Sequence, residues 1–553
     1  MGALLGVAGM LASAATRAAA QQPGRPANQA FVDYAAPAWT RGAVCYEVFI
    51  RSFKDSNGDG IGDLNGLTSK LDYINDGNPK SKTDLGARCI WLMPVAESPS
   101  YHGYDVINYY KVNPDYGTNA DFKRFVAAAH KRGIKVIVDM VLNHTSNQDP
   151  HFQAALRDTS SPYRSWYRFS PEPHGNGPWG VPAWHKSPVR DEYYYGIFSA
   201  QMPDLNYDTP AVRAEGKKIA AYWLRTMGVD GFRLDAVQYL VEQGKCMKDC
   251  AGTHAYLRSY QAYIDSIDPQ AYTIGEVWDP LDTLLTYYPD QLTGYFTFEL
   301  ADSLRTAVTR GTVGGMFTDY VKLERAEPSY RWSPLLSNHD GTRIMTILGG
   351  SIPAAKQAAT LLLTLPGLPY IYYGEEIGMT GDKPDPRLRT PMQWAPEPGY
   401  GFTSGHPWEP AQPDSMTATV AGENGEPGSL LNLYRRLIHL RAENAALASD
   451  RLALLEASSP HVAAFVRRTW NGRAVLVVAN LSDSTVAGVS LASDGVGLPA
   501  GRYQVHDLLG TAAAPPLEVA PNGHITAYVP ATTLRGHETL VLALIHSNSK
   551  TSR

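Results

Sequence analysis

A unit of an amphipathic helix, a glycine and an apolar strand recurs through most of this 553-residue chain. In residues 121–133 the apolar side chains recur at helical spacing, Gly133 can end the helix, and the apolar run 134–143 follows. The same order returns around Gly228 and around Gly367. The chain offers eight short apolar strands, in the segments VCYEVFI, ARCIWLMP, IKVIVDMVLN, VDGFRLDAV, AYTIGEV, GYFTFEL, WSPLLSN and LPYIYYG. Eight strands that alternate with helices predict an α/β fold, a closed parallel (β/α)8 barrel.

Two regions depart from this repeat. Residues 143–208 are rich in Pro, Gly, Trp, Tyr and His and are too long for an ordinary loop, so we predict an inserted domain B over the barrel mouth. Residues 449–546 contain apolar segments separated by turn residues, which predicts an all-β sandwich, domain C. The barrel, domain A, then comprises residues 39–142 and 209–448.

The first twenty residues are small and apolar, and they end in an Ala-x-Ala pattern at Ala18 and Ala20. Such a run is too short to span a bilayer and predicts a cleaved signal peptide at residues 1–20. A flexible segment, residues 21–38, is expected to follow. We therefore expect a secreted or periplasmic protein.

Charge and aromatic content restrict the possible partners. The chain has 49 Lys and Arg against 54 Asp and Glu, a net charge of −5, which argues against nucleic acid or an anionic membrane as the main partner. Its 32 Tyr and 11 Trp outnumber its 14 Phe, and rings with a polar group suit polyhydroxy ligands such as sugars. The alternative is that most of these rings line a large core.

The four cysteines fall into two pairs. Cys246 and Cys250 are close enough in sequence to form a small local disulfide in an oxidising compartment. A zinc pair is the alternative, but no second Cys or His pair lies nearby. Cys45 and Cys89 lie in apolar strand-like runs, and we expect them to be buried free thiols.

Carboxyl groups stand at or near the ends of three predicted strands. In GFRLDAV alternate side chains share a face, so Arg233 lies beside Asp235 and favours the ionised form that a nucleophile needs; an internal ion pair is the alternative. Glu276 ends AYTIGEV, where a partly apolar pocket can raise the pKa of a proton donor. Asp340 follows His339. A nucleophile, an acid/base and a third carboxyl group are what cleavage of a glycosidic bond requires.

These residues belong to motifs that resemble the conserved regions of the α-amylase family, glycoside hydrolase family 13. The motifs are DMVLNH at 139–144, GFRLDAV at 231–237, GEVW at 275–278 and SNHD at 337–340. The resemblance covers roughly residues 40–545 in the family's order and spacing. It implies a (β/α)8 barrel with domain B after the third strand, a C-terminal β-sandwich and a retaining double-displacement mechanism.

The resemblance also assigns roles to single residues. Asp235 matches the nucleophile, Glu276 the acid/base and Asp340 the stabiliser of the transition state. Tyr104 matches the ring that stacks on the sugar at the cleaved position. Hydrogen bonds to the same sugar are implied for His102, His144, Arg233 and His339.

The segment DSNGDGIGDLNG begins like an EF-hand loop, but its twelfth position is Gly66 instead of Glu. It resembles the first barrel loop of oligo-1,6-glucosidase and neopullulanase relatives, where a structural Ca²⁺ binds. Oxygen ligands at alternating positions suit such a hard cation, and a solvated turn is the alternative. The ligands implied by the resemblance are Asp55, Asn57, Asp59, the carbonyl of Ile61, and Asp63.

Specificity signals are mixed. MPDLN at 202–206 resembles a branch intermediate between oligo-1,6-glucosidases and neopullulanases, whereas RTPMQW at 389–394 resembles oligo-1,6-glucosidases and trehalose synthases. Gln238 and Tyr239 stand where many α-amylases carry the Lys-His pair that binds sugar beyond the cleavage point and helps a second Ca²⁺. We expect a secreted, monomeric α-amylase-type enzyme that cleaves α-1,4 bonds of starch or maltooligosaccharides without an organic cofactor.

Two alternatives stay open. An exo-acting α-glucosidase, an oligo-1,6-glucosidase or a trehalose synthase-like transglycosylase would keep the same three acids and differ in its pocket. A non-catalytic carbohydrate-binding protein on the same fold would be expected to lack one of the acids, and none is missing.

Overall fold

A computed structural model describes residues 37–510 and 513–547. The predicted signal peptide and nearly all of the segment expected to follow it lie outside the described residues. Within the described ranges, no helix has the length and apolar character needed to cross a membrane.

Eight short parallel strands form the centre of the structure. In chain order they are β1 (Cys45–Val48), β2 (Cys89–Leu92), β3 (Lys135–Met140), β4 (Gly231–Leu234), β5 (Tyr272–Gly275), β6 (Gly294–Phe296), β7 (Trp332–Ser333) and β8 (Tyr370–Tyr372). From β1 to β7 each strand pairs with the next one along the chain, and β8 pairs with β1. A parallel bridge between Leu335 and Tyr370 closes the ring between β7 and β8. The predicted barrel is confirmed, and each predicted segment contains one of its strands.

Local sequence signals explain where the barrel helices begin and end. The helix Asn119–Lys131 starts at a capping box in which Thr118 and Asp121 satisfy each other's backbone amides. It ends just before Gly133, whose φ of 73° is readily adopted by glycine. The other α-helices outside domain B are Ile50–Phe53, Leu64–Ser69, Leu71–Ile74, Pro210–Tyr222, Ala251–Ile267, Leu281–Leu284, Phe298–Arg310, Thr318–Ala326, Ile344–Ile347, Ile352–Thr364, Asp385–Leu388, Val420–Asn424 and Leu430–Glu443.

Side-chain alternation divides the barrel into an inner and an outer core. Tyr46 and Val48 of β1 belong to the large apolar cluster shared with the helices, whereas Cys45 belongs to the smaller inner cluster with Trp91. The expectation of free thiols at Cys45 and Cys89 was wrong. The two residues are register partners on adjacent strands and both face the barrel interior, so their sulfurs form a disulfide.

Domain B lies between β3 and the helix Pro210–Tyr222. It contains the helix Pro150–Arg157 and a three-stranded antiparallel sheet of Phe169–Ser170, Tyr193–Tyr195 and Trp184–Lys186. A hairpin of Ala96–Glu97 and Asn108–Val112 also projects from the barrel, after β2. The first residues of the inserted segment directly follow β3 and bring His144 to the mouth of the barrel.

The C-terminal region is all-β, as predicted. Its longest strands pair antiparallel around a second apolar core, while Phe465, Val475 and Val541 pack on the helices of the barrel. The strands are Arg451–Ala457, Val462–Arg468, Ala474–Asn480, Val486–Ala487, Leu491–Ser493, Gly501–Asp507, Leu517–Val519, Ile525–Tyr528, Thr533–Leu534 and Thr539–His546.

Candidate active site

A pocket of about 600 Å³ opens at the carboxyl ends of the barrel strands, where enzymes of this architecture carry their chemistry. Six of the eight residues predicted to act on substrate line it: His102, Tyr104, His144, Asp235, Glu276 and Asp340. The other two, Arg233 and His339, are buried directly behind the carboxyl groups of Asp235 and Asp340. The structure therefore brings the whole predicted set together.

One guanidinium group holds three carboxyl groups. Arg233 is fully buried, and its Nη1 donates to Asp235 Oδ1 at 2.7 Å and to Asp139 Oδ1 at 2.9 Å. Its Nη2 lies 2.8 Å from Glu276 Oε1. Asp139 and Arg233 are register partners on β3 and β4, which places them side by side. The candidate nucleophile and acid/base are thus fixed to the same cation.

The three carboxyl groups gathered around Arg233 affect the protonation of Asp235, the candidate nucleophile. Burial raises the pKa of Asp235, Arg233 lowers it, and the carboxyl groups of Glu276 and Asp139 raise it further, to about 8. Burial likewise raises the pKa of Asp139, to about 6, against the opposing effect of Arg233. Arg233 lowers the pKa of Asp235 as predicted, but burial and the neighbouring carboxyl groups outweigh it, because three buried carboxyl groups share its single charge.

Glu276 is oriented by three donors. Arg233 Nη2 and Trp278 Nε1 both lie 2.8 Å from its Oε1, and the backbone amide of Ala236 donates to its Oε2 at 3.0 Å. Ala236 has the left-handed φ of 46°, an uncommon backbone conformation for alanine, and it directly follows Asp235. The turn after β4 therefore links the nucleophile to the acid/base.

Asp340 is held as a carboxylate. His339 Nε2 lies 3.0 Å from its Oδ2, and Arg389 Nη2 donates to its Oδ1 at 2.9 Å. Burial opposes ionisation, but His339 and Arg389 together hold the pKa of Asp340 far below its usual range. His339 Nδ1 faces Glu47 Oε1 at 2.6 Å. Burial would lower the pKa of His339, but Asp340 and Glu47 raise it to about 9, so its ring is a cation at neutral pH.

Neutral polar groups face the rest of the pocket. His144 Nε2 is buried and has no hydrogen-bond partner within the described residues, and burial lowers the pKa of this ring to about 3. The hydroxyl of Tyr104 donates to Asp139 Oδ2 at 3.1 Å, and its ring lies nearly parallel to those of His102 and His339. An unpartnered nitrogen in a pocket suits a ligand hydroxyl.

Several residues of the site were missed from the sequence as functional candidates. Glu47 is a lone charge inside the apolar segment VCYEVFI, which was a usable signal. Asp139 begins the motif DMVLNH, and Arg389 begins RTPMQW, yet neither was assigned a role. The aromatic walls formed by Trp179 and Tyr239 depend on tertiary contacts alone, with ring centroids 5.2 Å apart.

The predicted calcium loop is held by its own backbone. Asp55 Oδ1 accepts from the amides of Asn57 at 2.9 Å and Gly58 at 2.8 Å. Asp63 accepts from the amide of Gly66 and caps the helix Leu64–Ser69. Over residues 37–510 and 513–547, no group of three or more His, Cys, Asp or Glu side chains is placed to hold a metal ion. The loop offers the oxygen ligands that calcium prefers, but its Asp side chains are not gathered around one point as three ligands of an ion would be.

Comparison with known proteins extends these observations. A family model described as "Alpha amylase, catalytic domain" matches residues 47–450. The chain is 37% identical to Alpha-amylase 3 of Dictyoglomus thermophilum over 452 residues, which cover 80% of this chain and 85% of the relative. It is 33% identical to a trehalose synthase/amylase of Mycobacterium tuberculosis, with 81% of this chain and 82% of the relative covered.

A solved structure shares the whole architecture. The crystal structure of the α-amylase from H. orenii superimposes with a TM-score of 0.78 at 38% sequence identity. The match covers 91% of this chain and 99% of that one.

Proposed function

The chain belongs to the α-amylase family of glycoside hydrolases, and on that basis we propose that it is a secreted α-amylase-type enzyme. We propose that it cleaves α-1,4 bonds of starch and maltooligosaccharides and retains the configuration at the anomeric carbon. The observation that carries the proposal is the attachment of Asp235 and Glu276 to one guanidinium, that of Arg233, at the pocket. Retaining glycosidases keep such a pair about 5 Å apart, and a shared guanidinium favours that closeness over the wider spacing of inverting enzymes.

The proposed reaction has two steps. In the first, Asp235 attacks the anomeric carbon, the glycosidic C–O bond breaks, and Glu276 gives its proton to the departing sugar oxygen. In the second, Glu276 takes a proton from water, the water oxygen bonds to the anomeric carbon, and Asp235 leaves as a carboxylate. Asp340, which stays ionised, favours the positive charge that the sugar ring develops in both steps.

The neutral donors of the pocket then bind the sugar that is being cleaved. His144 Nε2 is free to meet a sugar hydroxyl, and Tyr104 offers an aromatic surface. Trp278, 51% exposed, and Trp179, 51% exposed, extend the pocket with two further rings that suit neighbouring glucose units. A pocket with rings beyond the reacting carbon favours an oligomer over a single sugar.

A digest of maltoheptaose tests the specificity. Endo action should give maltose, maltotriose and maltotetraose in the first minutes, and proton NMR should show the α-anomer first. Release of glucose alone from the start would refute endo action and support an α-glucosidase. Early appearance of the β-anomer would refute retention.

A transglycosylase is the second candidate, favoured by the similarity to trehalose synthase/amylase relatives. Incubation with maltose separates the two functions, because a hydrolase yields glucose whereas a transferase yields isomeric disaccharides or longer oligomers. Trehalose as the main product would replace our proposal with this one.

We also propose that the loop from Asp55 to Asp63 binds a structural Ca²⁺. Support comes from the ligand groups of the loop, which are all oxygen atoms, and from the ionised carboxylate of Asp55. Burial would raise the pKa of Asp55, but the hydroxyl of Thr403 and the loop amides lower it below its usual range. Calcium at 100 times its Kd should add about 2.7 kcal/mol to the free energy of unfolding.

Melting curves in Ca²⁺ and in EGTA test the calcium proposal. We expect a higher Tm in Ca²⁺ for the unaltered protein and no calcium dependence in the double variant Asp55→Asn, Asp59→Asn. Magnesium serves as the control ion. Equal melting temperatures in Ca²⁺ and EGTA would refute the site.

Secretion is supported by the two disulfides, which persist in oxidising compartments. Mass spectrometry of protein recovered from the medium or periplasm should find an N-terminus after residue 20. An uncleaved chain retained in the cytoplasm would contradict this location.

A further inference from the structure

Gln238 is a buried polar residue that the proposed reaction does not use. It lies three residues after Asp235, and its side chain is almost fully buried. Its Oε1 accepts a hydrogen bond from the backbone amide of Trp278 at 2.8 Å. Its Nε2 donates to Asp249 Oδ1 at 3.1 Å and also to Asp279. Gln238 therefore uses both ends of its amide to join two loops at the edge of the pocket.

The first of these loops carries the acid/base. Trp278 lies two residues after Glu276, and its indole Nε1 donates to Glu276 Oε1 at 2.8 Å. Arg233 also binds Oε1, whereas among the described residues Oε2 accepts from a single donor, the amide of Ala236. Because two donors hold Oε1, Oε2 is the oxygen left to carry the transferable proton. The indole and Arg233 together therefore leave Oε2 to meet the departing sugar.

The second loop is closed by the Cys246–Cys250 disulfide. Within it, Lys248 Nζ lies 2.7 Å from Asp279 Oδ2 and lines the pocket. Asp249 accepts from both Gln238 and the hydroxyl of Tyr287. A short covalent ring of five residues thus carries Asp249, which binds Gln238, and Lys248, which binds Asp279.

We propose that Gln238 is a positioning residue for acid catalysis, which holds Trp278 on Glu276 by anchoring its loop to the disulfide-closed loop. The chain of contacts is continuous: Asp249 and Asp279 fix the amide of Gln238, Gln238 fixes the backbone of Trp278, and Trp278 fixes Glu276 Oε1. This role rests on the proposed function and deepens it, since it assigns the residue that orients the proton donor.

The test compares two leaving groups. Cleavage of maltotriose expels a sugar whose oxygen needs a proton from Glu276, whereas cleavage of α-maltosyl fluoride expels fluoride, which needs little acid assistance. General acid catalysis contributes about 100- to 10,000-fold, so a misplaced acid should lose part of that factor. We expect Gln238→Ala to lower kcat/KM for maltotriose about 10- to 100-fold and to leave kcat/KM for the fluoride within about 3-fold.

Other outcomes overturn the proposal. Equal losses on both substrates would mean that Gln238 only supports the pocket, and an unchanged maltotriose rate would mean that it does not position the acid. An unaltered enzyme that cleaves neither substrate would instead refute the proposed function itself. The matched control is Gln243→Ala. It removes an exposed glutamine of the same region, whose Oε1 accepts a hydrogen bond from the backbone amide of Gly252.

Trp278→Phe tests the same link without disturbing the buried amide. It removes the indole donor but keeps the backbone amide that Gln238 binds, and the ring is half exposed, so folding should be intact. We expect the same selective loss on maltotriose. Cys246→Ser combined with Cys250→Ser should shift the ratio of the two rates in the same direction. No selective loss in Trp278→Phe would overturn the proposal even if Gln238→Ala fails to fold.

Discussion

Asp139→Asn should make the enzyme active at lower pH. The substitution keeps the size of the side chain and an oxygen that can accept from Arg233, but it removes one of the three carboxyl groups around that guanidinium. In the proposed reaction Asp235 must be ionised to attack. Burial and the charges of Glu276 and Asp139 raise its pKa, to about 8. Without the Asp139 charge, the pKa of Asp235 should fall and the ionised nucleophile should persist further into acid.

The size of the shift follows from the geometry. Oxygens of Asp139 and Asp235 lie 2.9 and 2.7 Å from the same nitrogen, Nη1 of Arg233. They are therefore at most about 6 Å apart, and at an effective dielectric constant of about 20 two such charges repel by about 3 kcal/mol. Full removal of this repulsion would lower the pKa of Asp235 by about two units. Because Asp139, with a pKa of about 6, is itself partly protonated in acid, we expect a shift of about one to two units.

The assay is the pH dependence of kcat/KM on a chromogenic maltooligosaccharide between pH 3 and pH 10. The acid limb of this profile reports the group that must be ionised in the free enzyme. Asp385→Asn is the matched control, because Asp385 lines the pocket and accepts from Arg389 but not from Arg233. An acid limb that stays in place or moves to higher pH in Asp139→Asn would refute the reasoning. An equal shift in the control would show that the effect is general to the pocket.

Two further predictions concern catalysis and stability. Asp235→Asn and Glu276→Gln should each lower kcat on maltooligosaccharides about 1,000-fold or more with an unchanged Tm, since each removes a reacting group; near-normal turnover in either variant would contradict the assignment. The double variant Cys45→Ala, Cys89→Ala opens a covalent loop with a sequence separation of 44 and should lose about 2–4 kcal/mol in urea unfolding. If the urea midpoint is the same as that of the unaltered protein, packing inside the barrel holds these strands together and the disulfide does not.

The barrel could be predicted because its signals are local. Each strand is a short apolar run next to a helix of period 3.6, and the number of strands fixes a closed ring. The disulfide between β1 and β2 was missed because it depends on register. Cys45 and Cys89 each looked like an ordinary core residue, and only pairing at the same level on the same side of adjacent strands brings them together.

The candidate site was predicted in part for the same reason. Asp235 and Glu276 directly follow the last residues of β4 and β5, and Asp340 lies in the loop after β7, so their places in the apolar segments pointed to them. Glu47 and Asp139 lie within their strands, at positions that read as core. Their roles depend on tertiary contacts. Glu47 contacts His339, which is 292 residues away in sequence, and Asp139 contacts Arg233 on the neighbouring strand.

These inward-pointing acids also explain how the pocket suits a sugar cation. Five carboxyl groups and three cations form two ion-pair clusters. Arg233 binds Asp139, Asp235 and Glu276, whereas the His339 imidazolium and Arg389 bind Glu47 and Asp340. The hydroxyl of Tyr104 contacts both Asp139 and His339 and so joins the clusters. Burial is the main cause of the raised pKa of Asp235 in the free enzyme, and the excess of carboxyl groups over cations raises it further. A sugar ring that becomes positive next to Asp235 relieves this repulsion, so the site favours the charged transition state over the neutral substrate. The excess of carboxyl groups that helps to hinder ionisation of Asp235 therefore also favours the reaction proposed for it.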